Sequence, residues 1–127
     1  MSRLALVVDD SMLIRHSVCR FLEDRGLAVE SASNGRDALA ILDRVRPDIV
    51  ITDLDMPVMS GRELIHVLKS KPETEAIPIV IVAGRSSASA DAQGLAEFAI
   101  FKDIDIEEQL AKALKTLLGV QAAKAGK

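Results

Sequence analysis

The sequence predicts an α/β fold, a doubly wound parallel sheet with helices on both faces, and three observations lead to that prediction. Short apolar runs alternate with longer amphipathic segments along the 127 residues. The apolar runs are rich in Val, Ile, Leu and Ala, as in strands that are buried on both faces. Glycine, proline and helix-capping residues separate the segments. Strands that alternate with helices favour right-handed crossovers and a parallel sheet.

The first two strand–helix units are predicted from apolar periodicity and from the residues that stop each helix. Gly26 follows the first helix, Asn34-Gly35 precedes the second, and Pro47 is expected to end it. The predicted elements are a strand at residues 4–8, a helix at 12–25, a strand at 28–31 and a helix at 36–45.

The other three units follow the same pattern, although the fourth is weak. Ser60 with Glu63 three residues later forms a capping box, and Asp105 can cap the last helix. Residues 85–94 contain three serines, one glycine and no large apolar residue, so the helix there should be shortened or poorly ordered. The predicted elements are a strand at 49–52, a helix at 61–71, a strand at 79–82, a weak segment at 84–97, a strand at 98–101 and a helix at 106–118.

Five such units fit a flavodoxin-like strand order, 2-1-3-4-5. This order places the first and third strands side by side. We assign residues 1–118 to one domain and residues 119–127, which are small and polar, to a flexible C-terminal tail.

Composition and charge argue against several classes of function. A net charge of −3 with mixed signs leaves no basic surface for nucleic acid. Cys19 is the only cysteine, which excludes an intrachain disulfide and a cysteine-cluster zinc site. No apolar run reaches the length of a signal-peptide core or a membrane span, so we expect a cytoplasmic protein without membrane contact.

Three aspartates follow strands that the predicted order makes neighbours. Asp9 and Asp10 come directly after the first strand, and Asp53 comes directly after the third. The carboxyl ends of parallel strands border the crevice where ligands bind in open α/β sheets. Converging carboxylates repel one another, and a divalent cation offsets that repulsion. The sequence therefore predicts a metal-dependent carboxylate chemistry at this edge of the sheet.

Three motifs occur in order along the chain: the acid pair Asp9-Asp10-Ser11, the segment Asp53-Leu54-Asp55-Met56-Pro57 with Gly61 closing its turn, and Lys102 after the last strand. Together they resemble the motifs of response-regulator receiver domains of two-component signalling, most closely the single-domain chemotaxis type. The resemblance covers residues 2–118. It implies phosphorylation of Asp53 by a histidine kinase or a histidine phosphotransfer protein, with Lys102 pairing first with Asp53 and then with a phosphoryl oxygen.

The resemblance also implies a metal ion and a mode of action. Mg²⁺ would be held by Asp10, by Asp53 and by the backbone carbonyl of Asp55, while Asp9 would act through a bound water. The chain would be a phosphoacceptor that assists its own phosphotransfer and dephosphorylation, not an enzyme acting on a separate substrate. It would signal by binding an unidentified output protein, or serve as a phosphate sink.

The sequence departs from the family at positions that normally drive the conformational switch. Ala83 stands where a Thr or Ser hydroxyl is usual, Ala99 where an aromatic ring is frequent, and Asp103 where proline usually follows the lysine. The groups expected to contact a phosphoryl group are then Lys102, the metal, the backbone N–H of Gly84 and the side chain of Arg85. We therefore expect a weaker or different switch.

Two other functions compete with this one. A phosphorylation-independent interaction module, similar to a pseudo-receiver, would explain Ala83 and Ala99 but not the complete acid cluster. The segment from Ile51 to Asp55 also resembles the nucleophile segment of haloacid-dehalogenase-like phosphohydrolases. That family has the segment on its first strand, with a cap domain or a long downstream half, and neither feature fits this chain.

Overall fold

The computed structural model describes residues 3–83, 96–102 and 105–119, which form a five-stranded parallel sheet flanked by helices. The strand order is β2-β1-β3-β4-β5, which confirms the predicted order 2-1-3-4-5. The strands are β1 (Leu4–Val8), β2 (Ala28–Ala32), β3 (Ile49–Thr52), β4 (Ile79–Ala83) and β5 (Phe98–Phe101). The helices are α1 (Met12–Glu23), α2 (Gly35–Leu42), α3 (Gly61–Lys69) and α4 (Ile106–Leu118).

The sheet separates two aliphatic cores, one on each face. Along β4, Ile79 and Ile81 pack on the face covered by α2 and α3, while Val80 and Val82 pack on the face covered by α1 and α4. All five residues of β4 are buried, as the continuous apolar runs predicted. A sheet held from both sides provides a rigid base for side chains at its carboxyl edge.

Helix starts agree with the sequence more closely than helix ends. Ser60 and Glu63 form the predicted capping box, and the Asp105 side chain accepts from the Glu108 N–H at 3.2 Å. The helix predicted at 36–45 ends at Leu42, five residues before Pro47, so Pro47 is not its stop. The helices predicted at 12–25 and 61–71 each end two residues early, at Glu23 and Lys69. Final helical turns depend on tertiary contacts that short sequence patterns do not record.

The strand register fixes the level at which the functional side chains emerge. Val8 lies opposite Thr52, and the Asp53 N–H donates to the Val8 carbonyl at 2.8 Å, so Asp9 and Asp53 follow neighbouring strands at the same height. The Lys102 N–H donates to the Ala83 carbonyl at 2.9 Å, which fixes the register of the residue that follows β5.

Some predictions concern residues that the structure does not describe. The shortened or poorly ordered helix within 84–97 falls mainly on residues 84–95, and the tail falls mainly on residues 120–127. The domain boundary at Leu118 therefore stays a prediction. Within the described ranges, no helix has both the length and the apolar character needed to cross a membrane.

Candidate functional site

The fold brings the three predicted aspartates into one cluster. Asp9, Asp10 and Asp53 each offer a carboxylate oxygen, and these oxygens lie within 4.8 Å of one another. Asp9 and Asp53 are buried, at 2% and 5% exposure, whereas Asp10 is exposed. Oxygen donors at this separation suit a hard divalent cation such as Mg²⁺, so the donor set fits the metal that the sequence predicted.

Asp9 is held in place by its own turn. Its Oδ1 accepts from the Ser11 N–H at 2.9 Å, and its Oδ2 lies 3.3 Å from Lys102 Nζ. The Arg15 guanidinium donates to the Asp9 carbonyl at 2.7 Å, and Ser11 caps α1 by accepting from the Ile14 N–H. Sequence reasoning did not find the contact of Arg15, because an arginine in the first half of a helix carries no signal of a tertiary partner.

Asp53 has one hydrogen-bond donor at each carboxylate oxygen. Its Oδ1 accepts from the Leu54 N–H at 2.8 Å, and its Oδ2 accepts from Lys102 Nζ at 3.0 Å. The Thr52 hydroxyl donates to the Asp53 carbonyl at 2.8 Å. Lys102 therefore bridges Asp53 and Asp9, a second contact that the sequence did not predict.

Burial and charge act in opposite directions on these groups. Burial raises the pKa of Asp9, and the neighbouring Asp53 charge raises it further, while the hydrogen bond from the Ser11 N–H and the charge of Lys102 lower it. Burial likewise raises the pKa of Asp53, while the hydrogen bond from Lys102 lowers it. For Lys102, burial alone would lower the pKa, but its bonds to Asp53 and Asp9 outweigh burial and raise it. The ammonium therefore stays charged, while two carboxylates are costly to ionise.

The raised carboxyl pKa values give the fold a definite dependence on pH. A carboxyl group whose pKa is higher in the folded chain than in the unfolded chain stabilises the fold at pH values below the ordinary carboxyl range. That contribution is lost as the pH rises through the raised pKa values. In the absence of a cation, ionisation of Asp9 and Asp53 lowers the free energy of unfolding. A bound divalent cation would offset this cost.

The loop between β3 and α3 carries Asp55 and is closed by backbone hydrogen bonds. The Gly61 N–H donates to the Leu54 carbonyl at 2.8 Å, and the Gly35 N–H donates to the Met59 carbonyl at 3.1 Å. Asp55 is exposed, and its contribution through the backbone carbonyl stays a prediction. The loop is thus tied both to its own base and to the start of α2.

Val58 occupies a backbone conformation that the sequence did not suggest. Its φ is +70°, and the Met59 N–H reaches back to the Pro57 carbonyl at 2.7 Å, which makes a γ-turn. A positive φ is rare for a β-branched residue and is strained. The Val58 side chain is 69% exposed, so apolar burial does not compensate. Strain therefore lies in the loop that presents the Asp55 carbonyl.

The predicted switch positions are only partly described. Ala83 is fully buried at the end of β4, and Ala99 lies opposite Ile81 on β5. Gly84, Arg85 and Asp103 lie outside the described residues. The absence of a hydroxyl at 83 and of a ring at 99 follows from the sequence, and the weaker switch stays a prediction.

The fold, the acid cluster and Lys102 together define a class of protein, the response regulator receiver domain. The family model with that description matches residues 5–115, and the chain belongs to this family. The strand order and the carboxyl-edge site are thus those of a receiver of two-component signalling.

Particular relatives show how the similarity is distributed. The response regulator MprA of Mycolicibacterium vanbaalenii is 37% identical over 110 residues, which is 84% of this chain and 47% of MprA. The chain therefore spans about half the length of that relative. The chemotaxis response regulator CheY4 of Vibrio cholerae has a TM-score of 0.83 at 32% identity, covering 93% of this chain and 100% of CheY4. The response regulator TrrA of Thermotoga maritima, solved in complex with Mg²⁺-BeF, has a TM-score of 0.81 at 29% identity, covering 91% of this chain and 99% of TrrA.

Proposed function

We propose that this receiver accepts a phosphoryl group on Asp53 from a histidine kinase or a histidine phosphotransfer protein, and that the transfer depends on Mg²⁺. The observation that carries the proposal is the position of Asp53 Oδ2. It lies 3.0 Å from Lys102 Nζ, in a carboxylate that also contributes to the three-acid cluster. The Asp53 side chain thus has a nucleophilic oxygen, contacts the cationic Lys102 and belongs to the candidate metal cluster.

The chain's own residues have distinct roles in the proposed transfer. An Asp53 carboxylate oxygen attacks the phosphorus of a phosphohistidine; an O–P bond forms, the N–P bond breaks, and its electron pair leaves with the imidazole. Lys102 then moves from the carboxylate to a phosphoryl oxygen, where its charge is needed. Catalysis of this kind consists mainly of positioning and charge neutralisation, and a buried site strengthens both.

The metal would be held by the exposed Asp10, by Asp53 and by the Asp55 carbonyl, with Asp9 acting through water. When bound, Mg²⁺ supplies positive charge that offsets the charge of the acids and of the incoming phosphoryl group. The solved complex of TrrA with Mg²⁺-BeF supports a role for Mg²⁺, because TrrA is a response regulator of the same fold.

Output would follow from binding of a partner protein, and the chain would be a phosphoacceptor, not an enzyme with a separate substrate. A cytoplasmic location stays a prediction. Ala83 and Ala99 favour one alternative, a module that binds its partners without phosphorylation. The phosphohydrolase alternative is weakened, because the chain belongs to the receiver family and Asp53 follows the third strand.

Labelling by a small phosphodonor tests the proposal. Acetyl phosphate with Mg²⁺ should add the mass of one phosphoryl group to the wild-type protein, and peptide mapping should place it on Asp53. Chelation with EDTA should abolish the addition, while replacement of the Mg²⁺ should restore it. A protein that stays unmodified under all conditions would favour the phosphorylation-independent module.

The two adjacent acids should contribute unequally to metal binding. Asp10 is the exposed member of the pair, which suits the direct coordination that the resemblance implies, whereas Asp9 is buried beside Ser11 and Lys102. We expect Asp9→Asn to weaken Mg²⁺ binding roughly tenfold, as outer-shell changes do, and Asp10→Asn to weaken it further. Without metal, Asp9→Asn should raise the melting temperature, because it removes a buried charge whose ionisation is costly.

Calorimetric Mg²⁺ titration and metal-free thermal unfolding of the matched pair measure both effects. Equal Mg²⁺ affinities in Asp9→Asn and Asp10→Asn would contradict the division of roles between the two acids. A lower metal-free melting temperature for Asp9→Asn would instead show that its contacts with Ser11 and Lys102 outweigh the cost of burial.

A further inference from the structure

The last residue of β5 is held by an element outside the sheet. Among the strands that the structure describes, β5 pairs only with β4 at the edge of the sheet, so half of its backbone groups face away from the other described strands. The Lys102 N–H points inward to the Ala83 carbonyl at 2.9 Å. Because backbone groups alternate in direction along a strand, the N–H and carbonyl of Phe101 point outward.

Gln109 of α4 satisfies both outward groups of Phe101 with one carboxamide. Its Oε1 accepts from the Phe101 N–H at 3.2 Å, and its Nε2 donates to the Phe101 carbonyl at 3.1 Å. The same Nε2 lies 3.2 Å from the Asp105 carbonyl at the start of α4. A primary amide, with one acceptor and two donor hydrogens, matches this arrangement; a carboxylate lacks the donors and an apolar side chain lacks both.

These bonds fix the peptide plane that leads into Lys102. The carbonyl of the Phe101–Lys102 peptide accepts from Gln109, and its N–H donates to Ala83, so the plane is held at both ends. The orientation of that plane sets the direction of the Lys102 side chain, whose Nζ lies 3.0 Å from Asp53 Oδ2. Buried Leu110 and Leu114 anchor α4 against the sheet, so Gln109 approaches the strand from a rigid helix.

We infer that Gln109 is a positioning residue for Lys102. It acts through the backbone of Phe101 and touches neither the phosphoacceptor nor the metal cluster. Part of the inference rests on the proposed function, because the consequence for phosphoryl binding requires Lys102 to contact the phosphoryl group. The consequence for the Lys102–Asp53 ion pair does not depend on that function.

Gln109→Leu keeps the size of the side chain and removes its hydrogen bonds. In metal-free protein, NMR of the Lys102 ammonium group should show a distinct signal in the wild type, because an ion pair slows proton exchange with water. The signal should broaden or vanish in Gln109→Leu. If the ammonium signal were the same in Gln109→Leu as in the wild type, the inference would be wrong, whether or not the protein is a phosphoacceptor.

Binding of beryllofluoride, a phosphoryl mimic, provides the second measurement. Gln109→Leu should weaken Mg²⁺-dependent beryllofluoride binding about tenfold or more, as expected for a misplaced charge-assisted hydrogen bond, with Mg²⁺ affinity unchanged. In a Lys102→Ala background the same substitution should have no further effect, since Gln109 acts through that lysine. The inference would be contradicted if Gln109→Leu weakened Mg²⁺ binding as much as it weakens beryllofluoride binding. It would also be contradicted if Gln109→Leu had its full effect in the Lys102→Ala background.

Asp105→Ala is the matched control. It removes the N-cap contact to the Glu108 N–H, at 3.2 Å, and leaves the backbone carbonyl that Gln109 contacts. It should lower the melting temperature while leaving the ammonium signal and beryllofluoride affinity near those of the wild type. If Asp105→Ala changed the ammonium signal and the beryllofluoride affinity as much as Gln109→Leu does, both changes would come from a general loosening of α4. If wild-type protein failed to bind beryllofluoride, the proposed function would fail, and the ammonium signal would still decide the role of Gln109.

Discussion

Asp53→Asn is expected to abolish phosphorylation completely. The substitution removes the carboxylate of the acid cluster that lies nearest to Lys102 Nζ, at 3.0 Å compared with 3.3 Å for Asp9. An amide oxygen is a far weaker nucleophile than a carboxylate, and the amide nitrogen cannot accept from the ammonium of Lys102. Mass spectrometry after incubation with acetyl phosphate and Mg²⁺ should show no added phosphoryl group.

Asp55→Asn is the control in the same loop. Asp55 is exposed and is expected to serve the metal through its backbone carbonyl, which the substitution leaves in place. This variant should therefore still accept one phosphoryl group, with a changed rate at most. Asp53→Asn should fold at least as well as the wild type without metal, because burial opposes ionisation of this carboxyl.

Labelling of Asp53→Asn to the wild-type level would show that another side chain accepts the phosphoryl group. Loss of labelling in both variants would place the limiting step in the loop as a whole, not in the nucleophile. Far-ultraviolet circular dichroism of the two variants would show that neither result comes from unfolding.

The acid cluster was predictable because its position depends on strand order alone. Each aspartate directly follows an apolar run, and alternation of strands with helices limits the order to few possibilities. Register then brings the carboxylates to one edge, as the pairing of Val8 with Thr52 shows. The contact between Lys102 and Asp53 was expected only from the family resemblance, since no local pattern links residues so far apart in the chain.

Other features depend on tertiary contacts and leave little trace in the sequence. The positive φ of Val58 follows from a loop held at both ends, in a segment where valine itself favours extended structure. Gln109 reads as an ordinary helix residue until the structure shows its carboxamide on the backbone of Phe101. The end of α2 at Leu42, ahead of Pro47, likewise is not marked by a glycine or proline in the sequence.

Gly61→Ala is expected to be the most damaging substitution outside the acid cluster. A Cβ at position 61 would lie 1.9 Å from the Asp53 carbonyl oxygen and 2.9 Å from Leu54 Cα. Both are backbone atoms, so no side-chain rotation relieves the overlap. The positive-φ glycines of the described residues are Gly26 and Gly119, so Gly61 is needed for space and not for a left-handed backbone.

The overlap should disturb the phosphoacceptor directly, because the atom that must move is the carbonyl oxygen of Asp53. The Gly61 N–H also donates to the Leu54 carbonyl at 2.8 Å, so a shift of residue 61 opens the loop at its base. Overpacking typically costs about 1–3 kcal/mol, and we expect Gly61→Ala to reach or exceed the upper end of that range. Phosphorylation by acetyl phosphate should slow by at least about tenfold, as small misplacements of reacting groups do.

Gly35→Ala separates this effect from a general intolerance of larger residues near the loop. Its added Cβ would lie 2.9 Å from Met59 Cγ and 3.0 Å from the Met59 carbonyl oxygen, and the methionine side chain can rotate away. Alanine also favours the helix that starts there, by up to about 1 kcal/mol over glycine. Denaturant unfolding should therefore show a smaller loss for Gly35→Ala, with phosphorylation nearly retained. Equal losses of stability and phosphorylation in the two variants would show that the contact of residue 61 with the Asp53 backbone is not what makes Gly61→Ala damaging. The close packing of Gly61 would then matter for the loop but not specifically for the phosphoacceptor.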